Sequence, residues 1–313
     1  MAAVSIPAVQ MNVVRPNAPV RGRLVTSEVC TASRKAAGFV RHIEIDVSGT
    51  PLAGSFRAGQ AFGVIPPGAD ARGKPHKVRL YSLACPSAGE DGAGAVLSTT
   101  VKRTIDEHWD DHRLFLGVAS NYLCDCHVGD EILVSGPNGK RFLLPTNATE
   151  HDYLFFATGT GIAPFRGMVH ELLDAGCARS ITLIAGAPYR TDLLYDDRFR
   201  ALEQRHDNFT YLTAISRERD DDGRPGMYVH HRLGHERDRL MPTLGAGNTL
   251  VYICGIEGME LGVYQTLAEI TSLDTLERYL TGSADLLANP GAWTAEHLRR
   301  DLRPTDRVFI EVY

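Results

Sequence analysis

The sequence predicts a two-domain β + α/β protein, an antiparallel β-barrel followed by a domain built on a parallel sheet. Short β-rich runs separated by glycine- and proline-containing turns fill the first half. The second half alternates apolar strands with amphipathic helices. Three of its polar motifs begin just after a strand end, where open α/β sheets bind their ligands. With 313 residues, 43% of them hydrophobic, the chain can bury two cores. The expected division is a flexible extension over 1–20, the barrel over 21–146 and the α/β domain over 147–313.

The barrel strands are expected at 22–30, 39–47, 61–65, 78–84, 96–101 and 131–135. Turns are expected at Pro66-Pro67-Gly68, Gly92-Ala93-Gly94 and Gly136-Pro137-Asn138-Gly139. The nearest approach to a linker is 144–150, after which the pattern changes. Strand 153–157 precedes a helix over 164–175, and strand 181–185 precedes a helix over 197–204. Strands at 209–215, 249–254 and 308–312 complete a doubly wound sheet. The 164–175 helix has Phe165, Met168, Val169, Leu172 and Leu173 on one stripe, Pro164 in its first turn and Gly176 near its end.

Between the first of these strands and its helix lies Thr158-Gly159-Thr160-Gly161. Two glycines let a backbone approach a ligand, and a helix N-terminus offers free N–H groups and the positive end of its dipole. That chemistry suits a pyrophosphate. The loop lacks the Gly-Lys-Ser/Thr of a Walker loop and the full G-x-G-x-x-G, so a glycine-rich turn without a ligand fits it equally well.

Composition excludes several classes. No apolar run approaches the ~20 residues that cross a bilayer, so no membrane span is expected. Residues 1–20 hold no acid and one arginine, and lack the Arg/Ser richness of a transit peptide. Six cysteines (30, 85, 124, 126, 177 and 254) fit no metal or disulfide framework, which points to free thiols in a reducing, cytoplasmic setting. Any iron–sulfur centre must therefore sit on another polypeptide. The twelve histidines show no metal-binding spacing and are expected at the surface, with no metal assigned. Asp220-Asp221-Asp222 reads as a solvated charge run, and 281–301 suggests no role. Residues 1–150 hold 16 Lys/Arg against 14 Asp/Glu, and the remainder 17 against 24. A mildly basic first half suits an acidic protein partner, although a surplus of two is also what scatter would give. No nucleic-acid partner is expected.

Five further segments decide between these alternatives. They are Arg79-Leu80-Tyr81-Ser82 on a strand that puts Arg79 and Tyr81 on one face, Ser120-Asn121-Tyr122-Leu123-Cys124-Asp125, Ser216-Arg217-Glu218, Cys254-Gly255-Ile256-Glu257-Gly258-Met259-Glu260, and the terminal Glu311-Val312-Tyr313. In this order, from about Arg21 to the last residue, they resemble the plant-type ferredoxin–NADP reductase family.

The resemblance implies an FAD-binding barrel and an NADP(H)-binding α/β domain. It places Arg79 on the FAD pyrophosphate, for which a planar guanidinium fork is suited. It stacks Tyr81 on one flavin face and Tyr313 on the other, and sets Ser82 near the flavin nitrogen that exchanges the hydride. Lys102, in Val101-Lys102-Arg103, would reach a cofactor phosphate, and Ser120 would add donors to the pyrophosphate. Thr158, Gly159, Thr160, Gly161 and Gly255 would line the nucleotide. Ser216 and Arg217 would read the 2′-phosphate and Tyr228 would stack on the adenine. Cys254 would shape the nicotinamide pocket without acting as a nucleophile, and Glu311 would relay protons. Ser82, Cys254, Glu311 and Tyr313 are thus the expected catalytic residues.

The chain departs from the family at three places. Asp106 stands where the plant proteins carry the tyrosine that stacks on the FAD adenine, with Trp109 the nearby substitute. Ala119 replaces a cysteine, and Gly226 replaces a lysine, with Arg224 close by. The implied activity is hydride exchange between NADP(H) and FAD, coupled to one-electron exchange with ferredoxin or flavodoxin. Two rival readings are the NADPH-dependent reductase component of an oxygenase or other redox system, and a flavoprotein that senses NADPH or acts as a scaffold.

Overall fold

β-Branched and aromatic residues at alternate positions build the first unit, Pro7–Leu144 together with Ala163–Glu171, in this computed structural model. The structure describes residues 3–219 and 223–313, so the expected charge run at Asp220–Asp222 lies outside the described residues. Strands β1 (Val20–Val29), β2 (Val40–Asp46), β3 (Ala61–Ile65), β4 (Arg79–Ser82) and β5 (Val96–Lys102) come first. A small hairpin, β6 (Ile105–Glu107) and β7 (Leu114–Leu116), helix α1 (Val118–Asp125) and strand β8 (Glu131–Asn138) follow. The six longer strands form an antiparallel sheet in the order β4-β3-β8-β1-β2-β5. Leu83 bridges to Thr99, and the Ala84 N–H donates to the Ser98 carbonyl at 2.8 Å, which brings the two edge strands together as a barrel. Leu24, Ile43, Ile45, Phe62, Val64 and Val134 fill it.

Two expectations for this unit need correction. Gly136-Pro137-Asn138 is strand and not turn, because the segment ahead of β1 supplies it with partners. Val14 bridges to Gly136, and the Asn12 N–H donates to the Pro137 carbonyl at 2.8 Å. Those bonds, with Thr146 N–H to the Ser5 carbonyl at 2.7 Å, occupy the stretch expected as a flexible extension. The histidines are not all at the surface either. His42 is buried beside Glu44 (3.2 Å) and Glu90 (3.7 Å), with Arg166 in bidentate contact with Glu90. A neighbour pair of carboxylates makes such burial affordable for a titratable ring, and Arg166 supplies the balancing charge. His151 is buried without such a pair, and burial pushes its pKa down.

The second unit comprises Pro145–Ile162, Leu172–Tyr313 and the segment ending at Ile6. Continuous apolar runs form β9 (Asp152–Thr158), β10 (Ile181–Ala187), β11 (Phe209–Ile215) and β12 (Thr249–Gly255), as expected of strands covered on both faces. Between them in sequence lie α2 (Ala163–Asp174), whose residues up to Glu171 belong to the first unit, and α3 (Asp196–Arg205), α4 (Val229–His235) and α5 (Arg237–Ala246). After β12 come α6 (Met259–Ile270), α7 (Leu273–Leu276), β13 (Leu280–Thr281), α8 (Ala284–Leu287), α9 (Ala295–Arg300), β14 (Arg303–Pro304) and β15 (Val308–Val312). The five long strands are parallel in the order β11-β10-β9-β12-β15.

Helix α2 is not buried by a stripe alone. Ala163 to Val169 are all buried, Arg166 among them, and Gly167 packs its bare Cα against the backbone at Cys85. The 281–301 stretch, to which the sequence assigns no role, closes the core of the second unit. Trp293 is buried and donates its indole N–H to the Leu286 carbonyl at 2.8 Å, beside Leu287 and Leu302. No helix among the described residues is long and apolar enough to cross a membrane.

Candidate functional site

In the barrel unit, β4 carries Arg79, Tyr81 and Ser82 on an antiparallel pair with β3, with Tyr81 opposite Phe62 and their rings 6.4 Å apart. Tyr81 is half-buried against the barrel core, and desolvation raises its phenol pKa, so it stays protonated. The Ser82 carbonyl accepts from Thr99 Oγ1 at 2.7 Å, which locks the backbone at the end of the strand. Arg79 is exposed and donates only to the carbonyls of Lys77 (3.4 Å) and Val78 (3.2 Å), with no carboxylate partner among the described residues. An exposed guanidinium fork with no acid beside it is suited to an incoming phosphate.

Lys102 ends β5 and is exposed. The neighbouring Arg103 has a structural task, since it holds Asn121 and Asp125 of α1 and lies 5.2 Å from the Phe39 ring. Ser120 is engaged locally: its hydroxyl donates to the Gly117 carbonyl (3.2 Å) and accepts from the Thr104 N–H (3.1 Å). A phosphate at this place would meet the first-turn N–H groups of α1 in preference to the Ser120 hydroxyl. Asp106 and Trp109 both sit on the exposed β6–β7 hairpin, and Trp109 is 97% exposed.

In the second unit, the ends of β9, β12 and β15 and the loops after them carry eight expected residues: Thr158, Gly159, Thr160, Gly161, Cys254, Gly255, Glu311 and Tyr313. Thr158 Oγ1 accepts from the Ile256 N–H at 2.9 Å and faces Met259 Sδ at 3.4 Å. It therefore pins the β12 loop, which the sequence alone does not reveal. A Cβ on Gly161 would stand 2.3 Å from the Cys254 carbonyl oxygen, and one on Gly255 would stand 2.0 Å from Thr158 Oγ1. These two glycines serve loop-on-loop packing. Gly159 is different: its φ is +52° and nothing lies within 4 Å of a Cβ there, so its backbone borders open space.

Tyr313 closes this cluster. Its N–H donates to the Gly255 carbonyl at 3.0 Å, its carbonyl accepts from Glu257 at 3.2 Å, and its hydroxyl meets Thr160 Oγ1 at 2.8 Å. The residue as a whole is still 62% exposed, although desolvation raises its phenol pKa. Glu311 pairs in register with Cys254 on the neighbouring strand. Its Oε2 is buried without a hydrogen-bond partner, and desolvation pushes its pKa up to about 7. The Cys254 thiol is fully buried, and burial followed by the Glu311 charge raises its pKa far above the usual range. A thiol held protonated in this way is a poor nucleophile.

At the end of β11, Ser216 and Arg217 donate their N–H groups to the carbonyls of Ala187 (3.0 Å) and Pro188 (2.9 Å), leaving the Arg217 side chain exposed. Tyr228 follows, 61% exposed at the start of α4. A Cβ on Gly226 would lie 2.5 Å from the Ser216 carbonyl oxygen, so the backbone path here excludes any side chain at that position. A small pocket lined by Gly159, Ile162, Gly186, Asp192 and Leu193 opens beside the β9 loop.

Residues 155–265 match the family described as the oxidoreductase NAD-binding domain. A ferredoxin–NADP reductase of Thermosynechococcus vestitus is 33% identical over 311 residues, covering 97% of this chain and 75% of that protein. The chloroplastic leaf isozyme 1 of Arabidopsis thaliana is 35% identical over 275 residues, covering 85% and 74%. The chain belongs to the plant-type ferredoxin–NADP reductase family. A ferredoxin–NADP⁺ reductase of Plasmodium falciparum superposes with a TM-score of 0.70 at 19% identity over 97% of this chain and 99% of that one, which shows the shared fold. As a member of the reductase family the chain is an oxidoreductase acting on NAD(P), and its matched segment begins in β9 and runs into α6. Within that segment, the lysine-to-glycine departure at 226 now has a steric cause.

Proposed function

We propose that the protein is an FAD-dependent ferredoxin (or flavodoxin)–NADP reductase of the cytoplasm, exchanging a hydride with NADP(H) and single electrons with a small acidic carrier. The observation that carries the reading is the cluster of Thr160, Cys254, Gly255, Glu311 and Tyr313 at the ends of β9, β12 and β15, where a parallel sheet presents its ligand site. The names of the relatives supply the carrier class, and six cysteines without a disulfide support the reducing setting.

The barrel residues fit FAD. Arg79 has an exposed fork with no carboxylate beside it among the described residues, Tyr81 presents a half-buried ring, and the Ser82 backbone is pinned by Thr99. Lys102 and the start of α1 at Ser120 add positive charge and N–H groups. Bound there, FAD would link two-electron to one-electron chemistry. Within the second unit, Ser216 and Arg217 would take the 2′-phosphate and Tyr228 the adenine face. The Tyr313 backbone is bonded to Gly255 and its hydroxyl meets Thr160, and in this reading the nicotinamide ring displaces the Tyr313 side chain to reach the Cys254 edge. Cys254 fills space at that edge, and Glu311 holds a proton at its carboxyl near neutral pH.

The test is direct. The purified protein should be yellow, release FAD and not FMN on denaturation, and reduce a dye with NADPH. It should then reduce cytochrome c only when ferredoxin or flavodoxin is added. A colourless protein that does not take up FAD would end the reading. Dye reduction without carrier-dependent turnover would move it to an oxygenase-type partner, and nucleotide binding without either to a sensor.

A further inference from the structure

Three rings cluster at the start of α4. Tyr228 stacks on His230 with centroids 5.7 Å apart and planes at 19°, and His231 lies 4.1 Å from His230. The Tyr228 N–H donates to His231 Nδ1 at 3.3 Å, which ties the two sides of this first turn. Three glycines make room for the arrangement. A Cβ on Gly186 would stand 2.8 Å from Val229 Cγ1, one on Gly226 2.5 Å from the Ser216 carbonyl oxygen, and one on Gly262 2.6 Å from His230 Nδ1. Glycine at 262 is a poor helix former in α6, and its φ is in the ordinary range, so the space it leaves for the imidazole is its structural use. The His230 ring is thus held between the α6 backbone and Tyr228, a residue that is itself 61% exposed.

We propose that His230 is a positioning residue for nucleotide binding, holding the Tyr228 ring in the orientation that receives a purine base. The inference rests on the nucleotide reading of this end of the sheet. An exposed tyrosine in the first turn of a helix otherwise samples several rotamers, and stacking a base on it would then require freezing the ring. A ring stacked behind it selects one rotamer before the ligand arrives. His230 therefore acts on the base half of the ligand, independently of the 2′-phosphate contact assigned to Arg217.

Calorimetric titration of the full chain with 2′-phospho-AMP and with 5′-AMP tests this. His230→Ala should weaken both ligands by a similar factor, about threefold to tenfold, the range typical of an aromatic pair. His230→Phe keeps a ring behind Tyr228 and should restore the affinity. In a Tyr228→Ala background, His230→Ala should have no further effect, since its action passes through the lost ring. Equal losses in both backgrounds, no loss in either, or failure of His230→Phe to rescue would overturn the proposal. An unchanged affinity in Tyr228→Ala would also overturn it while Arg217→Ala still weakens 2′-phospho-AMP. If Arg217→Ala has no effect either, the nucleotide reading itself falls.

Discussion

Replacing Glu311 by Gln should change how stability depends on pH, and the sign follows from burial. Desolvation lifts the carboxyl from its ordinary 4.5 to about 7 in the folded chain. Between these two values the folded state holds a proton that the unfolded chain has released, so stability falls as pH rises through that window and levels off above it. A shift of this size corresponds to about 3 kcal/mol, at about 1.4 kcal/mol per pH unit. The buried Oε2 without a partner is the atom on which that cost falls once the group ionises. Glu311→Gln keeps the shape and removes the charge. The variant should therefore gain on the wild type by about 3 kcal/mol between pH 4.5 and 8, read as the change in their difference in urea midpoints multiplied by the slope. Infrared titration should place the loss of the protonated carboxyl band near pH 7 in the wild type, with no such band in the variant. A midpoint near 4.5, or parallel pH profiles for the two proteins, would refute the claim that this carboxyl is desolvated. The NADPH-driven rate of the variant should lose its inflection near neutrality.

Three further outcomes follow from the same loops. Tyr313→Ser removes the ring and its bond to Thr160, and should tighten nicotinamide nucleotide binding and raise NADH use relative to NADPH; equal affinities before and after would exclude a gating role. Arg217→Ala should lower kcat/KM for NADPH by about tenfold or more and leave NADH nearly unchanged, because one charge-assisted contact worth about 1.5–3 kcal/mol is lost; parallel losses would show that Arg217 does not read the 2′-phosphate. Gly161→Ala pushes a methyl to 2.3 Å from the Cys254 carbonyl oxygen and should cost about 1–3 kcal/mol of stability, whereas Gly159→Ala meets no neighbour and is penalised only by its positive φ; thermal melts that rank the two the other way would contradict the packing of these loops.

The order of motifs and the two kinds of hydrophobic pattern were enough to read the architecture from the chain. Strands 61–65, 209–215 and 308–312 coincide with β3, β11 and β15, since a strand needs only local alternation or a continuous apolar run to declare itself. The Arg79, Ser216, Cys254 and Tyr313 segments stood out for a related reason: each is a short motif at a strand or chain end. What sequence could not supply was every feature produced by residues distant along the chain. Gly136-Pro137-Asn138 reads as a turn until Val14 and Asn12 arrive to pair with it. His42 reads as a surface residue until β2, the Glu90 loop and Arg166 of α2 bring compensating charges around it. Thr158 and Gly161 read as ligand contacts, and only the fold shows that the Thr158 hydroxyl and the bare Gly161 Cα also hold the β12 loop. The chain's local patterns determined which elements form and in what order. Tertiary structure alone decided which polar groups remain free for a ligand, because that depends on which distant backbone comes within hydrogen-bonding reach.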